Sequence, residues 1–266
     1  GGTSLSKGFG LIERFSEDVD TRIDAGHSGL TDPKLSWSNK KSGVTERSAW
    51  FDALARTLSV PGCTVERDAA GSDALARSAW LRISYPEFHA ASLHEDMRSY
   101  VLLEVGRARV VPFVTRDISS WVHDHLAGHD MFTGFYDNRP RSVRCVHPWV
   151  TCLEKLDAIA RRFERGQAAP AFVRHYEDAA RILTAWNQLP HLETDLPSLL
   201  RALAEDDHKP MPAASHPAFQ VDPLSERWQE IERAWKRIDS MFWGPRVKLD
   251  VACAMIQDFL KNLPPT

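Results

Sequence analysis

Long apolar runs are missing from this sequence, and so are paired cysteines. No stretch approaches the ~20 consecutive apolar residues that carry a helix across a bilayer, so no membrane span is expected. Cysteine occurs only as Cys63, Cys145, Cys152 and Cys253, without a Cys-x-x-Cys pair, which excludes a disulfide framework and a thiolate zinc site. No basic-then-apolar leader precedes them. The expectation is a soluble, cytoplasmic protein with free thiols. A surplus of positive charge is lacking as well: 33 Lys and Arg face 36 Asp and Glu, a formal net charge of -3. A general electrostatic grip on nucleic acid is thereby excluded, and only local basic patches remain open.

What is present is globular. Hydrophobic residues at 43% and charged residues at 26% exclude a disordered chain, and 266 residues suffice for two modest domains, each with its own core. Near the start, Leu5, Phe9 and Ile12 share one face at helical spacing, predicting a helix from about Thr3 to Glu13 with Gly1 and Gly2 at its approach. SEDVDTRID then alternates, placing Asp18 and Asp20 on one face of a strand and Val19 and Thr21 on the other. A helix is expected over Thr45–Leu58, and strands over Ser78–Pro86, Tyr100–Gly106 and Arg109–Arg116. From Thr151 onward only helical periodicity remains, with a Pro- and Ala-rich exposed loop expected over His208–Phe219. The boundary falls near Cys145–Pro148, predicting a mixed α and β domain over 1–147 and a helical domain over 148–266. The chain opens inside a motif with no preceding strand, so the N-terminal part of the first domain is expected upstream of Gly1.

Two carboxylates at i and i+2 on one strand face suit magnesium, which takes oxygen ligands and combines one or two carboxylates with substrate phosphates. Asp18 and Asp20 fit that role. A pair of ions needs a further acid, and Glu104, set among apolar residues in YVLLEVG, is the candidate, since an acid there is costly unless a metal, hydrogen bond or cation compensates it. The helix start supplies the complement: its unpaired N–H groups favour phosphate, so Gly1, Gly2, Thr3 and Ser4 are candidates to hold the β- and γ-phosphates of a nucleoside triphosphate (NTP).

Taken together, GGTSLSK, RFSEDVD, VLLEVG, TCLEKLDAIARRF and FVRHYEDAARIL resemble the AbiEii/AbiGii toxin family, the toxin half of type IV toxin–antitoxin and abortive-infection systems. The motifs cover most of Gly1–Leu183, and their order is far more specific than any one of them. The resemblance implies an α+β fold, with a nucleotidyltransferase domain of a small mixed sheet flanked by helices, followed by a C-terminal helical domain and the active site between them. It implies that Gly2 and Ser4 line the phosphate site; that Asp18, Asp20 and Glu104 hold Mg2+; that Lys155 binds triphosphate; and that Asp178 is an additional essential acid. Arg174 and His175 become phosphate or RNA contacts. Glu177 departs from the pattern, which leads one to expect an aromatic or apolar residue. Ser16 matches a serine at which some relatives are silenced by phosphorylation, a charge of about -1.5 to -2 beside the carboxylates.

The implied reaction is attack of an acceptor hydroxyl on the α-phosphorus of an NTP, with loss of pyrophosphate. The implied acceptor is RNA, above all the 3′ end of tRNA, and a cognate antitoxin is the implied partner. Two alternatives use the same fold: a small-molecule, antibiotic-type nucleotidyltransferase and a non-catalytic interaction protein. Among the weaker signals, His123, His125 and His129 suggest zinc but complete no ligand set. The basic and aromatic helix around Arg227, Arg233, Lys236 and Arg237, with Arg246 and Lys248 beyond it, reads first as an amphipathic bundle helix with core tryptophans and second as an RNA contact.

Overall fold

The computed structural model describes residues 1–16, 18–23, 35–71, 73–86, 98–129, 131 and 136–263. Glu17 and Asp24, which fall within the quoted SEDVDTRID, lie outside these residues. The chain divides into two compact units, one of residues 1–3 and 16–110 and the other of residues 4–15 and 111–266. The fold class is α+β, with a small mixed sheet flanked by a helix and a helical C-terminal region.

In the first unit the described residues form β1 (Asp18–Ile23), α1 (Lys41–Thr57), β2 (Thr64–Asp68), β3 (Ser78–Ser84) and β4 (Tyr100–Arg107). The sheet order is β1-β4-β3-β2. β1 runs parallel to β4, and the other neighbours pair antiparallel. Alternation decides which side is core: Ile23, Ala79, Leu81 and Val105 join Trp50, Phe51 and Ala55 of α1 in one buried cluster. Arg47 sits fully buried on the same helix, with its guanidinium donating to the carbonyl oxygens of Ser36, Ser38, Leu75 and Ala76. Backbone acceptors alone satisfy this charge, so it ties the loop before α1 to the turn before β3.

The second unit holds β5 (Phe113–Arg116) and β6 (Val143–Val146) as an antiparallel pair, with α2 (Trp121–Gly128) in the connection. There follow α3 (Pro148–Glu164), α4 (Arg174–Thr184), α5 (Leu196–Glu205), α6 (Glu226–Arg237) and α7 (Leu249–Lys261). α3 starts at Pro148. That start is built locally: Pro148 occupies the first turn, and His147 Nδ1 accepts from the Trp149 N–H at 3.1 Å. Leu156, Ile159, Tyr176, Ile182, Ile231 and Ile256, contributed by four of these helices, meet in one core. Trp228 and Trp235 of α6 are buried in it, and Arg227 lies over Phe163 and Phe172, as the amphipathic reading of that helix expects.

The structure differs from the sequence reading at four places. The opening helix spans Gly2–Gly8, not Thr3–Glu13. Gly10 adopts φ +63, a left-handed conformation that stops the helix, and Leu11–Phe15 continue as extended chain. β5 begins only at Phe113, because Pro112 before it has no N–H for a ladder. β2 carries too few apolar residues to stand out, Val65 being its one aliphatic residue, and α2 is only eight residues long. The segment expected as an exposed loop buries Ala218 and Phe219 completely, in a short 3-10 turn that His216 caps by accepting from the Ala218 N–H.

Candidate active site

Parallel pairing of β1 with β4 sets Asp20 opposite Glu104 and Asp18 opposite Leu102. Residues in register on neighbouring strands share a face, and such strands lie ~4.8 Å apart, so Asp18, Asp20 and Glu104 occupy the face turned from the α1 core. The opening residues close on this strand. A Cβ on Gly1 would stand 1.4 Å from Asp20 Oδ2, so the glycine backbone lies directly against that carboxylate. Thr3 Oγ1 donates to the Asp18 carbonyl, and Ser16 Oγ donates to Asp18 Oδ1 at 3.1 Å. Asp20 keeps 37% of its side chain exposed.

Among the described residues, no three His, Cys, Asp or Glu side chains converge into a metal-binding group. The three acids therefore share a face and a register but do not form a closed cage. Magnesium does not require one, since it commonly binds through one or two carboxylates and completes its shell with water and substrate phosphates. The donor chemistry of Asp18 and Asp20 fits that mode. Gly2 is buried and begins the short helix, whose first-turn N–H groups have no acceptor within the helix itself. Ser4 stands inside that helix, its carbonyl accepting from the Phe9 N–H at 3.1 Å.

The second unit gathers a different set of charges. Arg14 grips Asp178 bidentately, Nε to Oδ1 at 2.9 Å and Nη2 to Oδ2 at 2.7 Å, while Lys155 Nζ reaches the same Oδ2 at 2.7 Å. Asp178 has no exposed surface, and Arg14 and Lys155 retain 3% and 8%. Burial pushes the Asp178 carboxyl upward, but the charges and hydrogen bonds of Arg14 and Lys155 outweigh it and hold the group well below the usual carboxylate range. His175 lies between Lys155, 3.3 Å from Nδ1, and Arg162, 3.2 Å from Nε2. Packing, then the flanking cations, push its pKa well down, so the ring is neutral. Arg174, the first residue of α4, is partly exposed. Lys155 and Asp178 are thus brought together as a buried pair with the partly buried His175 beside them, and the lysine ammonium is already engaged.

Glu177, the departure from the family pattern, is 1% exposed. It accepts from Arg246 Nε at 2.9 Å and from the Val247 N–H at 3.1 Å, with Arg181 at 3.6 Å. Arg246 in turn lies over Trp235 and Phe242. A carboxylate replaces the expected apolar residue because a cation and an amide are built to meet it. Sequence reasoning missed Arg14, and weighed Arg246 only as an RNA contact rather than as the partner of Glu177. The first stands four residues before Asp18 and the second in Gly-Pro-Arg, and neither position hints at an acidic partner 164 or 69 residues away. Of the histidines weighed for zinc, His129 Nδ1 donates to the His125 carbonyl at 2.8 Å and His123 Nδ1 lies 3.4 Å from Asp124.

A small mixed sheet with an acid-x-acid strand and a third acid in register beside it fits the class of nucleotidyltransferases. The chain belongs to the family of the nucleotidyl transferase AbiEii toxin, type IV toxin–antitoxin (TA) system, whose model matches residues 1–251. The match runs through both units. No curated protein and no solved structure matches the chain. Its activity is NTP-dependent nucleotidyl transfer, and its family pairs each such toxin with an antitoxin. Among the described residues no helix is long and apolar enough to cross a membrane.

Proposed function

We propose that the protein transfers a nucleoside monophosphate from an NTP to an RNA acceptor, the 3′ end of tRNA, with two magnesium ions at Asp18, Asp20 and Glu104. The observation that carries this reading is the register of β1 on β4, which sets the third acid beside the pair. Bound there, magnesium would neutralise phosphate charge and lower the pKa of the acceptor hydroxyl. The chain's own residues do the rest. Asp18 and Asp20 offer oxygen ligands from a strand whose geometry is held by Thr3 and Ser16. Gly1 and Gly2, without side chains, would let backbone approach the phosphates, and N–H groups of the first helical turn, through Thr3 and Ser4, would serve the β- and γ-oxygens. Much of the rate then comes from positioning and fixed charge.

In this reading Lys155, Arg174 and His175 contribute positive or donor groups for the triphosphate or the RNA, and Asp178 sets the place of Lys155 from which it works. Ser16 is a site at which phosphorylation would silence the enzyme, because its hydroxyl already touches Asp18. The protein works in the cytoplasm and is restrained by its antitoxin.

The test is transfer of label from each of four α-labelled NTPs onto total cellular RNA with magnesium, wild type beside Asp18→Ala. A labelled band of tRNA size with wild type alone is expected. Binding of NTP without labelling of any RNA would overturn the RNA acceptor and favour a small-molecule one; failure to bind NTP would overturn the catalytic reading.

A further inference from the structure

The row of side chains that carries Asp20 and Glu104 does not end with the acids. On the far side of β4, antiparallel pairing sets Trp80 of β3 opposite Glu104, and Asp68 of β2 opposite Trp80. Opposite residues share a face, so Asp20, Glu104 and Trp80 follow one another across three neighbouring strands at ~4.8 Å a step, on the face turned from the α1 core. Trp80 accordingly takes no part in the buried cluster between the sheet and α1. It is partly exposed, and its indole N–H makes no hydrogen bond among the described residues without being buried as those of Trp37 and Trp50 are. The ring is nevertheless held. A Cβ on Gly71 would stand 1.9 Å from Trp80 Cγ, so the backbone of the 3-10 turn Ala69–Gly71 lies directly against it.

What this row receives follows from the direction of the reaction. Gly1 lies against Asp20, at the β1 end, and under the proposed function Gly1 and Gly2 take the phosphates that leave. Displacement at phosphorus is in line, with the attacking oxygen opposite the leaving one. With pyrophosphate departing at the glycine end, the acceptor hydroxyl arrives from the other end, past Glu104, where Trp80 stands. A ribose joins a base to its 3′ hydroxyl, and the step from Glu104 to Trp80 is a single strand spacing, so a hydroxyl held at Glu104 brings its own base to Trp80. The charge pattern selects a base rather than a phosphate. Arg82, the cation of this face of β3, donates from Nη2 to Asp68 Oδ2 at 2.8 Å and lies over the Tyr100 ring, so the strand brings no unpaired cation to the indole. A neutral base stacks on an aromatic ring without one.

We infer that Trp80 is a positioning residue for the acceptor: it stacks the 3′-terminal base of the RNA and so brings the terminal hydroxyl to Glu104. The inference rests on the proposed reaction and on the acceptor being RNA. An unpaired 3′ end is the form of RNA that offers a base face to an aromatic side chain, whereas a duplex hides it.

The test is steady-state transfer from NTP, in magnesium, to bulk tRNA that carries its 3′-terminal base and to the same tRNA ending in an abasic nucleotide, which keeps its ribose hydroxyls. Wild type, Trp80→Ala and Trp80→Phe are compared. With wild type, removal of the base is expected to lower kcat/KM for tRNA about tenfold, the scale of one base–aromatic stack. Trp80→Ala should show the same loss on intact tRNA and little further loss on abasic tRNA, because ring and base share one interaction. Trp80→Phe should recover most of the wild-type value, and the KM for NTP should stay unchanged in both variants, which a damaged fold would not allow. Wild type that uses the two tRNAs equally overturns the inference whatever the variants do. So does a base effect that survives Trp80→Ala undiminished, and so does a KM for NTP that rises as far as the loss on tRNA, which would assign the ring to the NTP base. In each of these cases wild type still labels tRNA and the proposed function stands; no labelling of either tRNA by wild type overturns both.

Discussion

Two pairs of acids in this chain are made of the same chemical group and held in opposite surroundings. Asp18 and Asp20 stand on an edge strand, one touched by a serine hydroxyl, the other more than a third exposed, with the glycine backbone drawn up against it. Glu177 and Asp178 stand side by side on α4 with essentially no surface, and their oxygens are occupied by Arg246, the Val247 N–H, Arg14 and Lys155. An acid that must accept a ligand keeps solvent and open lone pairs, while one that fastens elements together has its lone pairs filled by cations. A residue can be indispensable to activity in either way, and the partners its oxygens hold tell the two apart.

The largest effect expected from this contrast is on chemistry without stability. Asp18→Ala or Asp20→Ala should lower nucleotidyl transfer by about 10³-fold or more, the scale of losing several kcal/mol of charge stabilisation. Thermal unfolding should move little, since substitutions at partly exposed positions usually change stability by within about 0.5 kcal/mol. A variant with near-wild-type turnover would break the assignment of the open pair.

Asp178 should behave in the reverse manner. Asp178→Ala leaves Arg14 and Lys155 buried without their counter-charge and should cost about 3–5 kcal/mol in a urea titration. The pH dependence carries the same signature. The folded-state pKa of Asp178 is depressed, so its stabilisation is present above the unfolded value, about 3.9, and is lost as pH falls below that toward the folded value. Urea midpoints between pH 5 and pH 3 should fall more steeply in wild type than in Asp178→Asn. If Asp178→Asn keeps full stability at pH 7 yet loses transfer, the contrast fails and this acid works directly on substrate. Glu177→Gln, which loses charge but not shape, should cost less, about 2 kcal/mol, the scale of a hydrogen bond to a charged partner. Arg246→Ala in that background should add less than in wild type, because the two share one interaction.

How much of this was legible before the structure depends on the range of each signal. Strands β3 and β4, the acidic strand and helices α1 and α3 to α7 announce themselves through periods within a dozen residues, and so does the shared face of Asp18 and Asp20. The opposition of Asp20 and Glu104 was not readable, because register between strands more than 80 residues apart is decided by the whole sheet. Arg14 escaped for the same reason, with its partner on a distant helix. The early end of the opening helix was readable in principle, from two glycines at positions 8 and 10, but the apolar spacing of Leu5, Phe9 and Ile12 argued louder. Ile12 is indeed buried, on extended chain rather than on a helix.

The smallest expected effect separates the open pair from its own support. Ser16 gives Asp18 one hydroxyl hydrogen bond at 3.1 Å from a partly exposed position, where water can replace it. Ser16→Ala should therefore lower transfer only about three- to tenfold, at the scale of a single net hydrogen bond of about 1 kcal/mol. A phosphate on the same oxygen is another matter. It would place about -1.5 to -2 charge against Asp18 and repel both acids and the incoming triphosphate, so transfer should fall as far as in Asp18→Ala. Intact mass before and after phosphatase, matched to transfer rates of the two forms and of Ser16→Ala, reads this out. If alanine is as damaging as phosphate, Ser16 is a required part of the carboxylate site, and the hydroxyl is not a place where the enzyme can be switched without being rebuilt.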